Sequence, residues 1–234
     1  MKTTLGLLAC LLLAAAPAGA ALEPVKLNPD SPLPWVPASL QLDAFSHGRV
    51  VLVVDISADG LPTDWLVLGY THRPLVTTCL AVLPSWRFTP ARLDGTPVPV
   101  QVEFSIEFSP DGAVLTTCSL DEMFIRERFG EGRHLITATT RPADLDRVPA
   151  RVTGPAPKYA AAAERQGVRG KVEVRFYIDE TGAVRMPSVD AGSQPYLAGR
   201  ALEAVRNWKF EPPMSKGRPA LIAASEEFDF GRTQ

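Results

Sequence analysis

Cysteine and histidine are both scarce in this chain of 234 residues, with three of each. His47, His72 and His134 share no spacing with one another or with the cysteines, which argues against a metal site. Basic runs are also missing. The 24 Lys and Arg are matched by 26 Asp and Glu for a formal charge of -2, and nothing interleaves basic with aromatic residues, so nucleic acid is excluded as a partner. There is no Gly-rich phosphate loop, no Gly-x-Ser-x-Gly elbow and no acid pair that recurs along the chain. Catalysis therefore has no positive evidence, and neither an enzyme nor a cofactor is expected. What is present, 46% hydrophobic and 21% charged residues, is ordinary globular material in a length that suits two compact domains.

The first residues carry one positive charge at Lys2, an apolar core from Leu5 to Ala16, then Pro17 and the small residues Ala18, Gly19 and Ala20. This three-part layout predicts a secretory signal peptide over residues 1–20, cleaved after Ala20, and an exported, soluble periplasmic product. An alternative stands beside it. Leu5 to Leu22 is an uncharged stretch of 18 residues, near the lower limit for a membrane-spanning helix, and uncleaved it would anchor the protein in the inner membrane facing the periplasm. Leu7-Leu8-Ala9-Cys10 resembles a lipoprotein processing box, but few apolar residues precede Cys10. Cleavage would leave Cys79 and Cys118, compatible with one disulfide worth about 3 to 4 kcal/mol or with two buried thiols.

Displaced by 122 positions, the chain meets itself. Gly48, Val50, Ile56, Gly60, Trp86, Phe88, Pro90, Gly95, Pro97 and Phe108 fall on Gly170, Val172, Ile178, Gly182, Trp208, Phe210, Pro212, Gly217, Pro219 and Phe230 without a gap. Residue types that fix turns and fill cores recur, so the repeat speaks first about fold. In the second copy, Val172, Val174, Phe176 and Ile178 alternate with Lys171, Glu173 and Arg175 as in a half-buried strand, and Asp179 to Gly182 turns the chain into a hairpin. Leu197, Ala201, Leu202, Val205 and Trp208 recur at helical spacing until Pro212-Pro213. A last strand ends at Phe228-Asp229-Phe230, and its counterpart alternates from Val98 to Phe108. Pro97 and Pro99 withhold amide donors there, which predicts that the last strand is an edge. Tyr159 to Arg165 reads as a short first helix.

The predicted fold is thus α+β, two tandem repeats of α-β-β-α-β order, each with two helices on one face of a three-stranded antiparallel sheet. The expected divisions are a Pro-rich N-terminal segment at 21–34, repeat one at 35–109, a linker with a short helix near Met123–Phe129 at 110–150, and repeat two at 151–234. The proline stretch from Pro24 to Pro37 would reach about 40 Å as polyproline helix. On the outer face of the first strand, Val51, Val53 and Asp55 stand where copy two has Glu173, Arg175 and Tyr177. That apolar face should be covered, either by the other repeat or by the segment from Ser119 to Val148. Glu226 replaces inward-facing Phe104, either to blunt strand pairing or because the sheet end is exposed. The tryptophans, at a helix exit, are expected in the core.

The residues PKYAAAAERQGVRGKVEVRFYIDETGAV, then ALEAVRNWKFEPPMSKGRPA and a terminal FDF, resemble the TonB C-terminal domain. That family's pattern has a Pro-x-Tyr-Pro helix start, an Asp-x-x-Gly hairpin, a Trp-x-Phe-x-Pro helix exit and a Gly-x-Pro turn. The resemblance implies a periplasmic module that binds an extended segment of an outer-membrane transporter by strand addition, in energy-coupled transport. Carried over by position, the helix-start contacts are Ala156, Pro157, Lys158 and Tyr159. The pairing strand is Ile222, Ala223, Ala224, Ser225, Glu226, Glu227 and Phe228. Ala160 stands where the family has its second Pro, and Ala156 where a polar residue is usual. A cleaved leader would leave the binding half of such a system without the half that couples to a membrane motor. The other reading is a periplasmic scaffold or adaptor whose two last strands pair with each other or with another molecule, including a homodimer.

Overall fold

The computed structural model describes residues 22–41, 45–118, 136–159, 163, 165, 167–189 and 193–231. The leader expected over residues 1–20 and the short helix expected at Met123–Phe129 lie outside these residues, as does most of the helix expected from Tyr159 to Arg165. The fold is α+β and mostly strand. In the first repeat, strands β1 (Gly48–Ile56), β2 (Pro62–Tyr70), β3 (Val100–Ser109) and β4 (Gly112–Cys118) join the short Ile136–Thr137 strand in an antiparallel sheet of order 136–137, β2, β1, β3, β4. Helices α1 (Ala38–Gln41) and α2 (Arg73–Val82) belong to this repeat. The second repeat holds β5 (Lys171–Ile178), β6 (Val184–Val189), helix α3 (Pro195–Val205) and β7 (Ile222–Asp229), with sheet order β6, β5, β7.

The alternating residues make two equivalent cores. Val50, Leu52, Val54 and Ile56 pack with Leu75, Cys79, Trp86 and Phe104 in repeat one, and Val172, Val174, Phe176 and Ile178 with Leu197, Ala201, Val205 and Trp208 in repeat two. Leu202, expected on the buried stripe of α3, sits at its margin, while Ala198 and Ala204 are buried. Gln194 caps α3, its side chain accepting from the Leu197 amide at 2.8 Å.

Two ties recur in both copies. The Phe88 amide donates to the Gly60 carbonyl at 2.9 Å and the Phe210 amide to Gly182 at 2.8 Å, so each hairpin turn is bonded to its helix exit. The Trp86 indole N–H donates to the Pro32 carbonyl and that of Trp208 to the Pro155 carbonyl, both at 2.8 Å. Each buried indole thereby holds the chain that leads into its own repeat, which satisfies its one donor.

The Pro-rich segment lies along repeat one: Leu22–Glu23 pairs with Arg92–Leu93, Lys26–Leu27 pairs with Phe88–Thr89, and Val25 and Val36 are buried. The structure corrects the sequence reading at two places. The first part of the expected linker is strand β4, and its later part lies along repeat two. There the Asp146 carboxylate accepts from the Lys216 and Gly217 amides at 2.8 Å each. Finally, β3 is not an edge, because its ladder begins at Val100, beyond the prolines, and β4 pairs along it from Glu103 to Ser109.

The apolar outer face of sheet one is covered by the other repeat, one of the two covers expected for it. Met186 of β6 is buried against Val51, Val53 and Leu68, with Leu66 and Tyr177 beside them. Met186 adopts φ 51°, and the β5–β6 register shifts between Arg175 and Tyr177. This bulge turns the side chain toward repeat one. Around it, Gln101 Nε2 donates to the Met186 carbonyl at 3.1 Å and to Asp55 Oδ1 at 3.0 Å, and Arg185 forms an ion pair with Asp64.

Gly182 and Gly217 both have positive φ, 83° and 70°, but in unlike surroundings. A Cβ at Gly182 would lie 2.0 Å from the Phe210 carbonyl oxygen, whereas one at Gly217 meets nothing within 4 Å. Gly182→Ala is expected to lower the unfolding free energy by more than about 3 kcal/mol and Gly217→Ala by about 1 kcal/mol, read by denaturant titration. Equal losses would contradict the turn-to-exit tie.

Candidate functional site

The candidate site is the outer edge of β7. This strand pairs residue for residue with β5, from Lys171↔Asp229 to Ile178↔Ile222, and among the described residues no strand pairs along its other side. Just before it, the Leu221 carbonyl accepts from the Thr140 amide at 2.7 Å, so the open stretch starts at Ile222. The Phe230 amide donates to the Gly170 carbonyl at 2.9 Å at the other end of the same register. Antiparallel alternation from that bond directs the amides of Ile222, Ala224, Glu226 and Phe228 toward β5. Those of Ala223, Ser225, Glu227 and Asp229 then face away from it, a row of main-chain donors and acceptors presented at one edge.

The side chains sort by face. Ile222, Ala224 and Phe228 pack on the core of repeat two, and the Phe228 ring stands 5.6 Å from Trp208 and 6.4 Å from Phe230. Glu226 lies on that same face, opposite Val174, but is exposed at the sheet end and has no ion-pair partner among the described residues. On the other face Glu227 is exposed and bonded to Lys171 Nζ at 2.7 Å. Ala223 and Ser225 are exposed beside it.

The helix-start residues are brought to the far end of this strand. Tyr159 is half-buried, its ring 5.7 Å from Phe230 and its hydroxyl donating to the Val168 carbonyl. It is held by its own domain, while Ala156 and Lys158 are exposed and Pro157 is half-buried. Trp208 is 2% exposed, with Arg151 over its ring at 4.2 Å, and belongs to the core as expected.

Repeat one carries the same edge in a different state. There β4 covers β3, pairing Phe104↔Thr117, Ile106↔Leu115 and Phe108↔Ala113, and Ala113 and Leu115 pack on the repeat-one core. By the 122-residue displacement, Phe104, Ile106 and Phe108 correspond to Glu226, Phe228 and Phe230. Sequence reading missed this difference because it took residues 110–150 as linker. The alternation Ala113, Leu115, Thr117 just after a Gly turn was the signal available. Nor do the two last strands pair with each other, as the scaffold reading allowed: β3 lies between β1 and β4, and β7 pairs with β5.

Cys79 is a fully buried free thiol, its pKa pushed up to about 12 by burial. Among the described residues no group of three His, Cys, Asp or Glu could hold a metal ion, and no helix is long and apolar enough to cross a membrane.

The family described as Gram-negative bacterial TonB protein C-terminal matches the chain twice, at residues 44–110 and 155–231. No curated protein matches the chain.

Glu103 marks a further difference between the edges, since its counterpart is exposed Ser225. It is 5% exposed on the face of Val53, and burial pushes its carboxyl up to about 8. Between the ordinary value of 4.5 and 8, the folded protein holds a proton that the unfolded chain has lost, so stability contributed at this site falls as pH rises through that window. The stability of Glu103→Gln relative to the native chain should therefore grow from pH 5 to pH 8 by on the order of 3 kcal/mol and then level. A difference that stays constant with pH would contradict this.

Proposed function

The chain belongs to the family of TonB C-terminal domains through both of its repeats, and from that premise we propose that it is a periplasmic binding protein whose second repeat receives an extended partner segment at the β7 edge. The family is a transport-associated binding domain, without enzymatic chemistry. The observation that carries the reading is the contrast between edges: β3 is covered from Glu103 to Ser109 by β4, and β7 has a neighbour on one side among the described residues. A segment of an outer-membrane transporter laid along Ile222 to Phe228 would find main-chain donors and acceptors at Ala223, Ser225 and Glu227. Ala156 to Lys158, set near the end of the same strand through Tyr159 and Phe230, would flank it. Exported behind a cleaved leader, this protein would be the binding partner in energy-coupled transport, with the coupling to a membrane motor supplied by another chain.

A scaffold or adaptor role has one observation in its favour, the burial of Met186 against Val51 and Val53, which joins the repeats through a sheet face rather than through their last strands. It leaves the β7 edge open and is compatible with binding there.

Proline substitution separates the two sides of β7. Ser225→Pro and Glu227→Pro each remove an outward amide and leave the β5 ladder intact, so they should abolish binding of a transporter's extended segment while the fold is retained by circular dichroism. Ala224→Pro removes a ladder bond and should cost about 3 kcal/mol or more of stability. Undiminished binding by both outward variants would overturn the reading.

A further inference from the structure

We propose that the β7 edge selects an extended segment with an apolar residue followed two positions later by Lys or Arg, read against Phe228 and Glu226. The inference rests on strand addition at this edge and adds the chemistry of what is added.

Repeat one contains an occupied version of the same edge. β4 runs antiparallel to β3, and in its register Leu115 is opposite Ile106 and Thr117 opposite Phe104. Leu115 packs on the core there, closing the end of the sheet. In repeat two the equivalent places are Phe228, half-buried against Trp208 and Phe230, and Glu226, exposed. An added antiparallel strand must then carry an apolar side chain beside Phe228, to do for this core what Leu115 does for the first. Two residues further on, on the same face, its side chain meets the Glu226 carboxylate. An apolar residue there would desolvate a charge, and an acidic one would repel it. A cation is the complement.

A second copy of this chain fits the edge less well. Glu226, Glu227 and Asp229 lie on one eight-residue strand, so pairing two β7 edges would gather six carboxylates on one seam.

The test uses the full chain labelled with 15N and two synthetic peptides of residues 112–119, both with Cys118→Ser, one keeping Thr117 and one with Thr117→Lys. Binding is read from the Ser225 and Glu227 amide resonances. The lysine peptide is expected to bind about fivefold tighter than the threonine peptide at low salt, as for a single exposed charge pair. That ratio should fall to about one in Glu226→Gln and at high ionic strength. Equal affinities for the two peptides would overturn the proposed chemistry while leaving strand addition in place. No movement of the two amides with either peptide would overturn strand addition itself. Self-association of the chain that consumes the same amides would assign the edge to a second copy and overturn the proposal.

Discussion

An edge strand turns every second amide and carbonyl away from its sheet, and those groups must be paired, covered or left to water. The two repeats meet this constraint differently. In the first, Gly112 reverses the chain so that β4 pairs from Glu103 to Ser109, and Ala113 and Leu115 finish the core. In the second, β7 is the last strand of the sheet among the described residues, with acidic residues at exposed positions. Charged edges discourage indiscriminate pairing.

The interior of each repeat tolerates that divergence because its own ties are the same in both. A glycine carbonyl in the hairpin turn bonds the helix-exit Phe, and the helix-exit Trp holds the preceding chain through its indole N–H. These contacts fix the helix end against the sheet before the last strand is reached. The chain beyond the last strand, a β-hairpin in one copy and the C-terminal residues in the other, can then vary without disturbing the core. The face-to-face contact through Met186 is also particular to its place, since the equivalent position in repeat one is Asp64, which pairs with Arg185 instead. The same position thus serves the interface from both sides with different chemistry.

The repeat, the half-buried strand Val172 to Ile178, the Asp179 turn and the amphipathic helix before Trp208 were legible because period and turn chemistry act locally. The cover on Val51 and Val53 was legible as a need, since an apolar outer face must be buried, although the choice of Met186 depends on a bulge that no period announces. Pro97 and Pro99 misled, because a missing donor marks an edge only if the residue lies within the ladder, and this ladder starts at Val100. The placement of the proline stretch before Val36 was not legible, because two-residue pairings at 22–23 and 26–27 are too short to leave a pattern, yet they lay the segment on repeat one. Of the candidate site, the strand was legible from family pattern and its outward amides were not, since parity is set by the pairing of Phe230 with Gly170.

One edge is closed within the chain, and the other has a neighbour on one side only among the described residues. Residue-resolved amide hydrogen exchange of the monomeric protein tests it most directly. Slow exchange is expected at Glu103, Ser105 and Glu107, whose strand has a neighbour on each side, and fast exchange at Ala223, Ser225 and Glu227, whose amides face outward. Comparable protection at both sets of amides in the monomer would contradict it.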